Sequence, residues 1–148
     1  RLKALKDVAV GSGGIGLAIV YFSLFIISLC NFPAPSIKVL LDLISSEVLS
    51  RDVGILILST LKPMESSYLG KLFHEKLKDK KLPIIAESLP FFILNPFSSI
   101  FFLILFLIFY KVGQKVLRGS SGDLTGATIS LSFPLFLLVE RLFSFSIL

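Results

Sequence analysis

Two long stretches without a single charge, residues 8–37 and 88–110, limit this chain to very few folds. A third stretch, 124–139, is also uncharged. A helix needs roughly 20 apolar residues to cross the hydrocarbon core of a bilayer. Composition agrees: hydrophobic residues make up 54% of the chain and Phe alone contributes 15 positions. Mean hydropathy is +0.89. Soluble domains rarely exceed about half apolar. The pattern predicts an all-α, polytopic transmembrane helix bundle, one integral membrane domain over residues 1–148. Neither uncharged run has the cleavage pattern of a secretory leader.

Five membrane segments follow from the punctuation. The first covers about 13–31 and ends at Asn31-Phe32-Pro33-Ala34-Pro35, where two prolines stop a helix. The second covers about 36–61 and closes at Lys62-Pro63. After a hydrophilic loop, 62–82, the third covers only about 83–94 and contains Pro83, Glu87 and Pro90. At that length it is a tilted span, a half-helix or a re-entrant piece. The fourth covers about 97–117 and the fifth about 124–143. Arg1, Lys3 and Lys6 precede the first segment, six lysines occupy the loop 62–82, and Lys111, Lys115 and Arg118 follow the fourth. These twelve of the 15 Lys and Arg fall on one side of a five-span layout, while the turns near 32–35 and 95–96 carry none. By the positive-inside rule that side faces the cytoplasm. The net charge of +5 is therefore read as topology and not as a nucleic-acid surface.

The residues that carry chemistry are few. Gly119-Ser120-Ser121-Gly122-Asp123-Leu124-Thr125-Gly126-Ala127 is a polar knot between two apolar runs. A carboxylate inside lipid costs several kcal/mol, so Asp123 belongs at the membrane surface. Its plain role is N-cap of the last helix. Its functional role is to hold Mg²⁺ together with Asp7 and further acids, since Mg²⁺ prefers hard oxygen ligands and substrate phosphates. Asp7 is otherwise a solvated charge. The second segment carries Asp42, Glu47, Arg51 and Asp52 among Leu, Ile and Val. Glu47 and Arg51 are spaced to pair on one helix face. The pair is either a structural one buried in the bundle, or Arg51 grips a substrate phosphate with its planar fork.

Gly11-Ser12-Gly13-Gly14-Ile15-Gly16 matches a dinucleotide fingerprint, yet it lacks the strand before it and the acid about 20 residues on. Close helix packing or the lining of a site beside Lys6 and Asp7 are the readings left. His74 is the only His and Cys30 the only Cys. His74 reads as a surface residue and Cys30 as an inert small apolar one. No nucleophilic triad exists.

Three segments together resemble the cobalamin-5′-phosphate synthases, membrane enzymes also called adenosylcobinamide-GDP ribazoletransferases. Gly122-Asp123-x-x-Gly126-Ala127 at the start of a last apolar helix is similar to their C-terminal signature. Lys6-Asp7 with Gly11 and Gly14 is similar to their Lys/Arg-Asp-x-x-x-Gly-x-x-Gly segment, and Ser50-Arg51 with Tyr68-Leu69-Gly70 and Phe73 to a third. Where the family carries acids in its last helix, this chain has Ser130 and Phe133, and the family's upstream Asp-rich motif is missing. The resemblance implies the C-terminal part of a longer protein, which alone is inactive if those acids are essential. It implies a Mg²⁺-dependent transferase that joins adenosylcobinamide-GDP to α-ribazole or its 5′-phosphate with release of GMP. Asp7, Asp123 and Arg51 would be the catalytic residues, with Asp7 and Asp123 on the metal. Lys6, Gly11, Gly14, Gly122 and Gly126 would bind substrate. The alternative is a multi-span transporter or channel subunit, suggested by a broken third segment and the charges of the second.

Overall fold

The computed structural model describes residues 12–30 and 36–143. Lys6, Asp7 and Gly11 lie outside them. The described chain is all-helical: α1 (Ser12–Cys30), α2 (Ile37–Thr60), α3 (Tyr68–Leu77), α4 (Lys81–Leu94), α5 (Pro96–Val112) and α6 (Gly122–Leu142). A π-helical turn, Gly113–Leu117, extends α5. Among the described residues there is no strand, only an isolated bridge between Pro63 and Ser120.

Short polar side chains start four of the helices. Ser36 accepts from the Val39 amide, Ser67 from Gly70, Asn95 from Phe97 and Ser121 from Leu124. Each satisfies one of the amides that a helix start leaves unpaired. Pro96 occupies the first turn of α5, where its missing N–H costs nothing. The expected N-cap role of Asp123 is therefore wrong: Ser121 caps α6, and Asp123 stands two residues further on.

α2 is the central post and packs against α3, α4, α5 and α6. The core gathers Leu49, Val53, Leu56, Ile57, Phe102 and Phe136. α2 lies tightly against α6 at Gly54, where an added Cβ would lie 2.6 Å from Ile129 Cγ1. α1 packs on α6 through a Phe25–Phe133 ring contact and a hydrogen bond from Ser28 to the Pro134 carbonyl, 3.1 Å. The outside is apolar, with Ile15, Leu17, Ile19 and Phe22 exposed on α1 and Ile100, Leu103, Ile104 and Leu107 on α5. The inside is studded with Ser45, Ser46, Ser50, Ser88, Ser98 and Thr128. Small hydroxyl residues between helices and greasy side chains outward are the arrangement of a bundle in lipid.

Two helices, Pro96–Leu117 and Gly122–Leu142, are long and apolar enough to cross a membrane. α1, α2 and α4 coincide with the other three segments read from the sequence. α2 carries too many charges for that measure, and α4 has 14 residues. The third segment is short, as expected, but not broken: α4 runs unbroken through Pro90. The loop 62–82, read as hydrophilic connection, contains the additional helix α3.

Candidate functional site

The site is built where α5 hands over to α6. The π turn ends in Arg118, in the left-handed region at φ 60°, and Gly119 at φ 157°. The chain then lies against the segment that leaves α2. The Ser120 amide donates to the Lys62 carbonyl and the Met64 amide to the Ser120 carbonyl, both at 2.9 Å. Ser120 Oγ donates to the Leu61 carbonyl at 3.0 Å. These bonds bring the basic loop 62–82 and the basic junction 111–118 to one end of the bundle.

The resemblance gives Gly122 and Gly126 of the polar knot to substrate and leaves Gly119 without a role. Gly119 approaches the protein's own backbone: a Cβ there would lie 2.8 Å from the Met64 amide nitrogen and 2.9 Å from the Lys62 oxygen. Gly70, on α3, is held in the same way near the Ser120 carbonyl, 3.1 Å from an added Cβ. Gly119→Ala is expected to cost about 2 kcal/mol by forcing backbone apart, measured as a lower thermal midpoint of the detergent-solubilised protein. An unchanged midpoint would mean that the stitch between 62–64 and 119–120 is loose.

Gly122 and Gly126 behave differently. A Cβ on either would meet nothing within 4 Å. With Asp123, Ala127 and Ser130 they form an exposed strip at the start of α6 that is nearly free of side chains. Asp123 is the one carboxyl on this strip and makes no hydrogen bond or ion pair among the described residues. Gly122, Asp123 and Gly126 thus share one exposed face of α6. No group of three or more His, Cys, Asp or Glu able to hold a metal exists among the described residues. One free carboxyl beside open space fits Mg²⁺ in its usual form, bound by one or two carboxylates, phosphates and water. It does not form a protein cage.

Arg51 lies on α2, three residues from Gly54 on the side away from Lys62. Its Nε donates to Glu47 Oε1 at 2.6 Å, and NH2 contacts the same oxygen. The pair is as expected, but its burial is not. Arg51 is 62% and Glu47 44% exposed, on the face of α2 turned away from the core. The buried acids are Asp52, one of the charges of the second segment, and Glu140 near the end of α6. Asp52 accepts from Ser88 Oγ on α4 at 2.6 Å. Glu140 accepts from Ser45 on α2 at 2.6 Å, Ser98 on α5 at 2.8 Å and Asn95 Nδ2 at 2.9 Å.

His74 is also corrected. Its Nδ1 lies 2.8 Å from the Leu58 carbonyl, one of the last carbonyls of α2, which has no helical partner. A carbonyl only accepts, so Nδ1 carries the proton. Gly14 is exposed and a Cβ on Gly16 would meet nothing. The close-packing reading of that glycine run is not met at these two positions.

Residues 1–140 match the family model described as cobalamin-5-phosphate synthase. The chain belongs to this family. Relatives of this synthase family member are named adenosylcobinamide-GDP ribazoletransferase. The one from Saccharolobus islandicus is 48% identical over 145 residues, 96% of this chain and 54% of the relative. The one from Sulfolobus acidocaldarius is 41% identical over 144 residues, 95% of this chain and 56% of the relative. That from Archaeoglobus fulgidus is 29% identical over 141 residues. The chain spans about half the length of the curated relatives it matches. No solved structure matches it. The match over residues 1–140 includes the exposed start of α6, where Gly122, Asp123 and Gly126 lie.

Proposed function

We propose that the full-length protein is a membrane-bound transferase that joins adenosylcobinamide-GDP to α-ribazole, or to α-ribazole 5′-phosphate, in cobalamin biosynthesis. The observation that carries this reading is the free carboxyl of Asp123 on an open strip at the start of α6, in a chain matching the synthase family over residues 1–140. A ribazole hydroxyl attacks the phosphorus attached to the cobinamide. The new P–O bond forms, the P–O bond to GMP breaks, GMP leaves with the electron pair, and the hydroxyl proton passes to solvent. Helix-start amides of α6 favour the diphosphate. Asp123, with Asp7, would hold Mg²⁺, which when bound neutralises charge on the phosphates. Lys6, Gly11, Gly14, Gly122 and Gly126 would line the substrate. A transporter has less support, because α4 is an unbroken helix.

Arg51 is read as a phosphate ligand reachable from outside the packed core. Arg51→Lys is expected to lower the rate of GMP release at least about tenfold, since a point charge does not replace a planar fork. Glu47→Leu with Arg51→Leu should then abolish it. An active double variant would make the pair purely structural.

The protein is read as crossing the membrane five times, with the lysine loop and the Asp123 strip in the cytoplasm. Support comes from the stitch that gathers both basic segments at one end. A thiol reagent that cannot cross membranes should reach Lys78→Cys only from the cytoplasmic side and Ser36→Cys only from the other. Labelling of both from the same side would refute an odd number of crossings between them.

A further inference from the structure

α3 is too short to span a bilayer, and it leaves an apolar edge exposed. Its ten residues extend about 15 Å. Its sides divide into three arcs. Gly70, His74 and Leu77 face the protein, with Gly70 near the Ser120 carbonyl and His74 on Leu58. Lys71, Glu75 and Lys78 form a second arc about 100° round the helix, where Lys78 donates to Glu75 at 2.9 Å. Between them stand Leu69, 56% exposed, Leu72 and Phe73, 46% exposed, with Lys76 in their midst. The apolar arc continues into Leu82 at the start of α4, 80% exposed. No described residue covers it.

We propose that α3 is an interfacial anchor, its Leu69, Leu72 and Phe73 edge sunk into the headgroup boundary of an anionic bilayer. Charge complementarity selects that partner. Lys62, Lys71, Lys76, Lys78, Lys80 and Lys81 are all exposed around this one helix, against three acids in the same stretch. A short helix with an apolar edge and a lysine rim binds in the plane of the interface, and each lysine near an anionic surface strengthens that binding. Lys76, inside the apolar arc, reaches the headgroups by extending its stem. The anchor fixes α3, and through Gly70 the stitch at Ser120, at the depth where the Asp123 strip meets the cytoplasm. The inference rests on the bundle lying in a membrane and is independent of the transferase reading.

Residues 1–148 hold no tryptophan, so each introduced tryptophan is read as the difference from the parent protein. Phe73→Trp, Glu75→Trp and Leu103→Trp would each be reconstituted in phosphatidylcholine–phosphatidylglycerol vesicles whose acyl chains carry bromines near the headgroups or near the bilayer centre. Phe73→Trp is expected to lose about half its emission to the shallow bromines, and Glu75→Trp far less. Leu103→Trp, on the outer face of α5, should respond most to the deep bromines. Quenching of Leu103→Trp without quenching of Phe73→Trp overturns the anchor while leaving the membrane bundle intact, and means that protein or substrate covers the arc. Quenching at neither position overturns the membrane reading as well. Equal shallow quenching of Phe73→Trp in vesicles of phosphatidylcholine alone overturns the preference for anionic lipid.

Discussion

Replacing Asp123 by Asn in the full-length protein is expected to lower the rate of GMP release from adenosylcobinamide-GDP by at least about tenfold, the scale seen when a metal site loses a supporting group. The Mg²⁺ concentration for half-maximal rate should rise with it. The reasoning starts from the helix. The amide ends at the start of α6 already favour anions, and a second negative charge beside a diphosphate repels it unless a cation lies between. An acid on this strip therefore makes sense as a metal ligand. The structure makes the test clean. Ser121, and not Asp123, accepts from the Leu124 amide at 3.2 Å, and the Asp123 side chain is exposed, so the substitution leaves the cap intact and stability within about 1 kcal/mol. Rate against Mg²⁺ concentration and thermal midpoint are measured on variant and parent together. An unchanged rate with unchanged Mg²⁺ dependence would leave Asp123 as a favourable charge at a helix start. It would also withdraw the main physical support for phosphotransfer at this strip.

Glu140→Ala is expected to be the most destabilising single change in the bundle, by about 3 kcal/mol. It strands three buried donors on three different elements: Ser45 on α2, Ser98 on α5 and Asn95 at the α4–α5 turn. Asn95 also caps α5, its Oδ1 accepting from the Phe97 amide at 3.2 Å. Its amide group is thus oriented, with Nδ2 left for Glu140. Glu140→Gln should cost less, because its oxygen still serves the two serines while its amide opposes that of Asn95. Adding Asn95→Asp to Glu140→Gln should recover stability, since the new carboxyl can accept both from Phe97 and from the glutamine. Thermal midpoints of the four proteins, followed by helical circular dichroism in detergent, decide the matter. A double variant no more stable than Glu140→Gln would show that the amide of Asn95 points the other way. An unmoved midpoint for Glu140→Ala would remove the network from the forces holding α2, α5 and α6 together.

Much of this protein is legible in its sequence, for a physical reason. Uncharged runs such as 97–110 and 124–139 form helices wherever lipid or protein surrounds them, because an apolar environment forces backbone groups to pair within the segment. Asn95-Pro96 marks one of these ends locally, whereas the cap of α6 was expected at Asp123 and is Ser121. Family membership was legible because three segments, at Lys6-Asp7, Ser50-Arg51 and Gly122-Asp123, stand in order along the chain, a one-dimensional feature. What the sequence could not decide was which charge faces which neighbour. Asp52 and Arg51 are adjacent in the chain, yet Asp52 is 3% exposed and bonded to Ser88, while Arg51 stands on the outer face. The difference is one step of 100° around α2, and only the packing of α4 against one side gives that step a meaning. Likewise Gly119 reads only as part of a polar knot until the Lys62–Met64 backbone is found against it. His74 reads as surface until the last turn of α2 supplies a carbonyl. Pairings across 16, 36 or 95 residues carry no local signature, because any serine or carbonyl would serve, and tertiary structure alone selects the one within reach.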